Sequence, residues 1–170
     1  TTGNGFDDFP ITGQGYFESS YTRLKTWETI RNEVNSRSGQ AKLDADMYFK
    51  LVTLVKDYQS AKLVDLFNSI PYFNAFQGSN GTNENWYPAY DDPKAVYESI
   101  ITDLGNLTDS LSIAYHLMSS TAQQILAQQD IVFKGDMTKW AEFANATRLK
   151  LLVRIAGVDA TFAKPLIQET

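Results

Sequence analysis

From position 20 onward the apolar residues of this chain recur at three- and four-residue steps, the spacing that lines one face of an α-helix. Tyr21, Leu24, Trp27, Ile30 and Val34 make the first stripe, with Ser20 as candidate N-cap and Gly39 as its end. From Gln40 to Phe67 a longer helix carries Leu43, Met47, Leu51, Leu54, Tyr58 and Ala61 on one side. Tyr48, Val52 and Val55 add a second strip, so this helix is expected to be contacted on two sides. The third stripe is Val96, Tyr97, Ile100, Leu104, Leu107 and Leu111, opened by Asp92 with Pro93 at the first helical position. A fourth helix starts at Asp136, a cap that can accept the free N–H groups of the first turn, and carries Trp140, Phe143, Ala144, Leu151, Leu152 and Ile155. Trp140 and Phe143 are expected to bury it against the Gln40–Phe67 helix, and Gly157 to end it in the left-handed conformation.

Between these stripes the periodicity lapses. Residues 1–19 hold four of the ten glycines and read as a loop or extended arm. In 68–91, Pro71 halts helical pairing, and Gly78, Gly81, Pro88 and four asparagines follow. A connector of this length is usually functional or disordered. Residues 112–134 read as irregular, with Gln123 to Gln129 a possible short helix, and 159–170 opens another helix. With no period-two alternation, the chain is expected to be all-α, built of antiparallel helix pairs with long irregular loops. Its parts are an arm (1–19), a first helix pair (20–67), a long loop (68–91), a second pair with an irregular insert (92–156) and the start of a next helix (159–170), within a single helical unit over 1–170.

The chain has 170 residues, enough for one ordinary domain, and 43% of them are hydrophobic, which makes it globular. Its 15 basic residues against 20 acidic ones argue against nucleic-acid binding, which needs a basic face to displace counterions. No apolar run approaches the ~20 residues that span a bilayer. The absence of cysteine removes disulfides, thiolate metal sites and a cysteine nucleophile.

Candidate chemistry is sparse. His116 is the only histidine and has no partners at metal-ligand spacing. Asp91-Asp92 sits at a helix start, where capping and complementing the helix dipole explain it better than glycosidic cleavage. Gly13-x-Gly15 lacks the strand-turn-helix of a nucleotide loop, and no nucleophile elbow or triad appears. No catalytic residues, metal or cofactor are expected, and the chain is read as a non-enzyme. Trp27 and Trp140 lie on helical stripes and are expected in the core. Trp86, Tyr87 and Tyr90 differ, because they cluster in the long polar loop, where rings can stack on the apolar faces of sugars. Asn83 and Asn85 could supply hydrogen bonds there. The alternative is that the loop folds back and its rings plug the helical array, since buried Tyr and Trp tips readily find partners.

Three blocks of residues also carry a resemblance. Gly135-Asp136-x-x-Lys139-Trp140, then Phe143-Ala144-Asn145, Arg148-Leu149-Lys150-Leu151 and Arg154-Ile155 form one. Asp65-Leu66-Phe67-Asn68-Ser69-Ile70-Pro71-Tyr72 with Ala75-Phe76 forms another, and Pro88-Ala89-Tyr90-Asp91 with Val96-Tyr97 and Leu104 the third. Together, falling in the family's order along roughly residues 40–165, they resemble the SusD-like (SusD/RagB) nutrient-binding outer-membrane lipoproteins of Bacteroidetes. Asn68 and Ser69 stand where that family usually has Gly-Asp, and Gly105-Asn106 replaces the acidic residue and its neighbour after Leu104. The resemblance implies tetratricopeptide-like helix packing and a surface-exposed lipoprotein of the outer membrane. It implies capture of a nutrient, usually a glycan and in some relatives a peptide, with hand-over to a SusC-like TonB-dependent transporter. In the family the long loops carry ligand contacts, which points again to Trp86, Tyr87, Tyr90, Asn83 and Asn85. Contact with the membrane would run only through a lipidated N-terminal cysteine; Thr1 is not that residue, and the chain is read as an internal part of a longer protein. The rival class is a helical-repeat interaction scaffold without a small-molecule site.

Overall fold

A computed structural model describes residues 13–77 and 87–169 of the chain. Among these the protein is all-α, with helices α1 (Gln14–Ser36), α2 (Gly39–Phe67), α3 (Pro93–Leu117), α4 (Ser120–Gln129), α5 (Met137–Ile155) and α6 (Ala160–Glu169). The only extended pairing among them is a single bridge between Ile70 and Asp91. No helix among these residues is long and apolar enough to cross a membrane.

Side-chain pairings set the helix directions. Phe17, early in α1, meets Phe67 at the end of α2, while Trp27 meets Phe49, so the two run antiparallel. Between α2 and α3, Asp65 pairs with Tyr97 and Asp44 with Ser119, again antiparallel. Lys94 of α3 reaches Asp159 just past α5 at 2.7 Å, and Gly105 of α3 faces Arg148 of α5. Helix α3 is therefore sandwiched, and the buried Ile101, one turn from Gly105, widens its apolar stripe toward the α5 side. The core runs through Leu54 and Leu63 of α2, Ile100, Leu104 and Leu111 of α3, and Leu152 of α5, all fully buried. Burying each such side chain removes roughly 1.5–3 kcal/mol worth of apolar surface from water.

Several boundaries differ from the sequence reading. α1 begins at Gln14, so the last part of the expected 1–19 arm is helical and Ser20 lies buried inside the helix. Phe17 packing on Tyr21 and Phe67 outweighs the helix-weakening glycines at 13 and 15. α1 stops at Ser36, and Gly39, at φ +57°, opens α2 where it was expected to close α1. The expected irregular stretch 112–134 is mostly helix. Its glutamine-rich composition hides the stripe, but Ser119 caps α4 by accepting the N–H of Ala122, and Asp44 accepts from both the N–H and the hydroxyl of Ser119.

Asp136 caps α5 as expected, accepting from the N–H groups of Thr138 and Lys139. Trp140 is buried, but α5 packs chiefly on α3; it meets α2 at fewer places, among them Phe143 against Tyr58 at 5.5 Å and Arg154 against Asp65. The left-handed glycine is Gly135, at φ +77°, and the chain leaves α5 without one at Gly157, by a turn in which Val158 and Asp159 both donate to the Ile155 carbonyl.

Candidate ligand-binding site

The long loop is fastened at both feet. α2 ends at Asn68, which takes φ +66°. With ψ at −87° it lies outside the left-handed helical well, a strained conformation for a residue with a Cβ, so Asn68 fills a position where glycine would be the default. Ile70 then anchors in the core, and the Tyr21 hydroxyl of α1 donates to the Pro71 carbonyl at 2.5 Å. At the far foot the Asp91 N–H donates to the Ile70 carbonyl, while the Asp91 carboxylate accepts from the N–H groups of Tyr72 and Phe73. Asp92 next to it caps α3 through the N–H of Ala95. The paired acids thus divide the work: one closes the loop and the other starts the helix.

Of the five loop residues singled out by sequence, Asn83, Asn85 and Trp86 lie outside the described residues. Tyr87 and Tyr90 stand on the second foot and are exposed, at 88% and 63% of their surface. Tyr90 is stacked over Phe17 of α1, with ring centroids 6.4 Å apart and planes 10° from parallel. One of its faces is therefore supported from below while most of the residue meets solvent. From Tyr90 a row of rings continues through Phe17 to Tyr21 at 4.6 Å and on to Phe76 at 5.9 Å.

That row leads to a cleft of about 410 Å³ between α1, α2, α3 and the turn at 71–77. Trp27, expected in the core, is only half-buried and forms part of its wall. The Trp27 indole N–H donates to the Thr53 hydroxyl at 2.9 Å, and its ring lies 4.8 Å from Lys56 Nζ and 5.2 Å from the Arg31 guanidinium. Lys56 Nζ sits equally over Tyr72, at 4.7 Å, and donates to the Tyr72 hydroxyl and to Asp57 at 2.9 Å. The Tyr72 hydroxyl in turn donates to Asp57 Oδ1 at 3.1 Å. Asp57 is wholly buried, and that burial pushes its carboxyl up to about 7 against the opposing pull of the Lys56 ammonium. Phe73, packed edge-on against Tyr72, is exposed at the mouth. Aromatic faces beside fixed polar groups are what a small polar ligand with apolar ring faces requires.

Sequence reasoning passed over this cleft, although a signal was present. Asp46, Lys50, Thr53, Asp57 and Ser60 recur at four- and three-residue steps along α2, a polar stripe on a helix otherwise read as apolar on two sides. His116 is exposed beside Tyr115, and no cluster of three or more acidic or histidine side chains suited to a metal ion occurs among the described residues.

Residues from all three sequence blocks meet in the fold. Asp65 accepts from the Tyr97 hydroxyl and pairs with Arg154, tying α2, α3 and α5 together. The Asp91 clamp joins the second and third blocks again. Much of the shared signature is thus structural, holding the helices and the loop base in register. A family described as starch-binding, associating with outer membrane, matches residues 4–170. No curated protein and no solved structure matches the chain. The chain belongs to this SusD-like family.

Proposed function

We propose, from that membership, that the chain binds a glycan at the outer-membrane surface and works with a SusC-like TonB-dependent transporter. The match to a starch-binding family over nearly the whole chain is the observation that carries this reading. In it, Trp86, Tyr87 and Tyr90 form a platform for sugar rings, with Asn83 and Asn85 reading hydroxyl groups. The exposed rings of Tyr87 and Tyr90 on a loop foot fastened by Asp91 support that assignment, because a platform held in place loses less freedom on binding. No covalent step is involved; the chain captures and presents its ligand. The antiparallel helices would supply a tetratricopeptide-like face toward the transporter, and a lipid anchor would hold the protein at the surface.

A glycan array tests the reading directly. Saturable binding to starch-type or other oligosaccharides is expected, together with co-purification of a TonB-dependent transporter from native membranes. A folded protein that binds no glycan and co-purifies only with other soluble proteins would favour the helical scaffold.

A further inference from the structure

The loop platform leaves the 410 Å³ cleft without a role. We propose that this cleft is a second sugar subsite, reached along the row Tyr90, Phe17, Tyr21 and Phe76, and that it takes uncharged oligosaccharide. The inference rests on the glycan-binding reading and extends it to a site and a chemical class.

Three observations support it. The cleft adjoins the loop foot, since Tyr21 and Phe76 on its wall belong to a row of rings that starts at Tyr90 and in which each lies within 6.4 Å of the next. Its volume falls in the range of small-molecule sites, roughly 300–1,000 Å³. Each of its cations is already paired, Arg31 with Glu28 at 2.6 Å, Lys50 with Asp46 at 3.7 Å and Lys56 with Asp57 at 2.9 Å, and burial pushes the Asp103 carboxyl on the same wall upward. An anionic ligand would have to break one of these pairs and would also face the Asp103 carboxyl, whereas a hydroxyl-rich neutral one would not.

The polar inventory fits the same class. The Nε atom of Arg31 is buried and has no hydrogen-bond partner among the described residues. Buried donors are normally satisfied, and a sugar hydroxyl can accept from one donor while donating to an oxygen such as that of Asn106 or Gln77. An extended peptide is a poorer fit: among the described residues the walls are helix and turn, with no strand edge for a peptide backbone to pair with.

The three tryptophans provide a spectroscopic test. In ¹⁵N-labelled protein Trp27 reports the cleft, Trp86 the loop and Trp140 the core, each indole signal assigned by a Trp→Phe variant. Titration with maltoheptaose is expected to move the Trp27 and Trp86 signals and leave Trp140 in place, while trigalacturonic acid and trialanine leave Trp27 unmoved. Phe73→Ala, at the exposed mouth, is expected to weaken maltoheptaose binding roughly tenfold without shifting the melting temperature. Movement of Trp86 alone, with Phe73→Ala binding as wild type, overturns the cleft proposal and leaves the loop reading standing. Movement of Trp27 alone keeps the cleft and removes the loop. Equal movement of Trp27 by the acidic sugar overturns the uncharged class, and failure of every sugar to bind ends both proposals together.

Discussion

The carboxylate of Asp91 accepts the backbone N–H of Tyr72 at 2.7 Å, and through it the loop that leaves α2 returns to the residue pair from which it departed. The same oxygen accepts from Phe73 at 2.9 Å. Hydrogen bonds to an ionised acceptor are the stronger ones, and removing it leaves two donors to find water. Asp91→Ala is expected to cost about 2–3 kcal/mol of stability. Chemical denaturation measures this, and an unchanged midpoint would mean the loop base holds without its clamp.

The turn before α5 depends on Trp140. Its indole N–H donates to Asp130 at 2.7 Å, while the same carboxylate collects the N–H groups of Val132, Phe133 and Gly135. Trp140→Ala should cost about 3–5 kcal/mol, the range for a large aromatic removed from a packed site. Lys139→Ala, one residue earlier with a mostly exposed side chain, should stay within about 0.5 kcal/mol. Equal denaturation midpoints for the two variants would refute the packing described here.

Stability should also respond to pH through Asp57. Its folded-state pKa is raised to about 7 by burial, above that of the unfolded chain. The folded protein therefore holds this proton more tightly than the unfolded one. The resulting stabilisation is complete below the carboxyl's ordinary range and is lost as pH rises toward and through about 7. Asp57→Asn should flatten that decline in a series of melts across this window. A wild-type profile that rises over the same window would show that the Lys56 ion pair dominates.

The helices were legible where burial is one-sided and periodic. The stripes of α2, α3 and α5 and the caps Asp92 and Asp136 could all be read from spacing. What stayed hidden depended on contacts distant in sequence. The ring of Phe67 against Phe17 supports α1 back past Gly15, and Asp44, 75 residues from Ser119, helps to fix the start of α4. Gly105 looked like a bare departure from the family pattern. In the fold, a Cβ there would lie 3.1 Å from the Nε of Arg148, so the glycine makes room for α5 against α3. The cleft was missed for a related reason: Trp27 shares a stripe with core residues, and its spacing gives no sign that Lys56 and Arg31 flank its ring.

The central claim is that this chain binds a glycan through its long loop, and Trp86→Ala tests it most directly. Calorimetric titration with maltoheptaose and a thermal melt are run on both proteins. Binding is predicted to weaken by about 2 kcal/mol or more, as for a hot-spot aromatic, with the melting temperature nearly unchanged. A sharply lower melting temperature with binding intact would contradict the account, because Trp86 would then be a core residue and not part of a sugar platform.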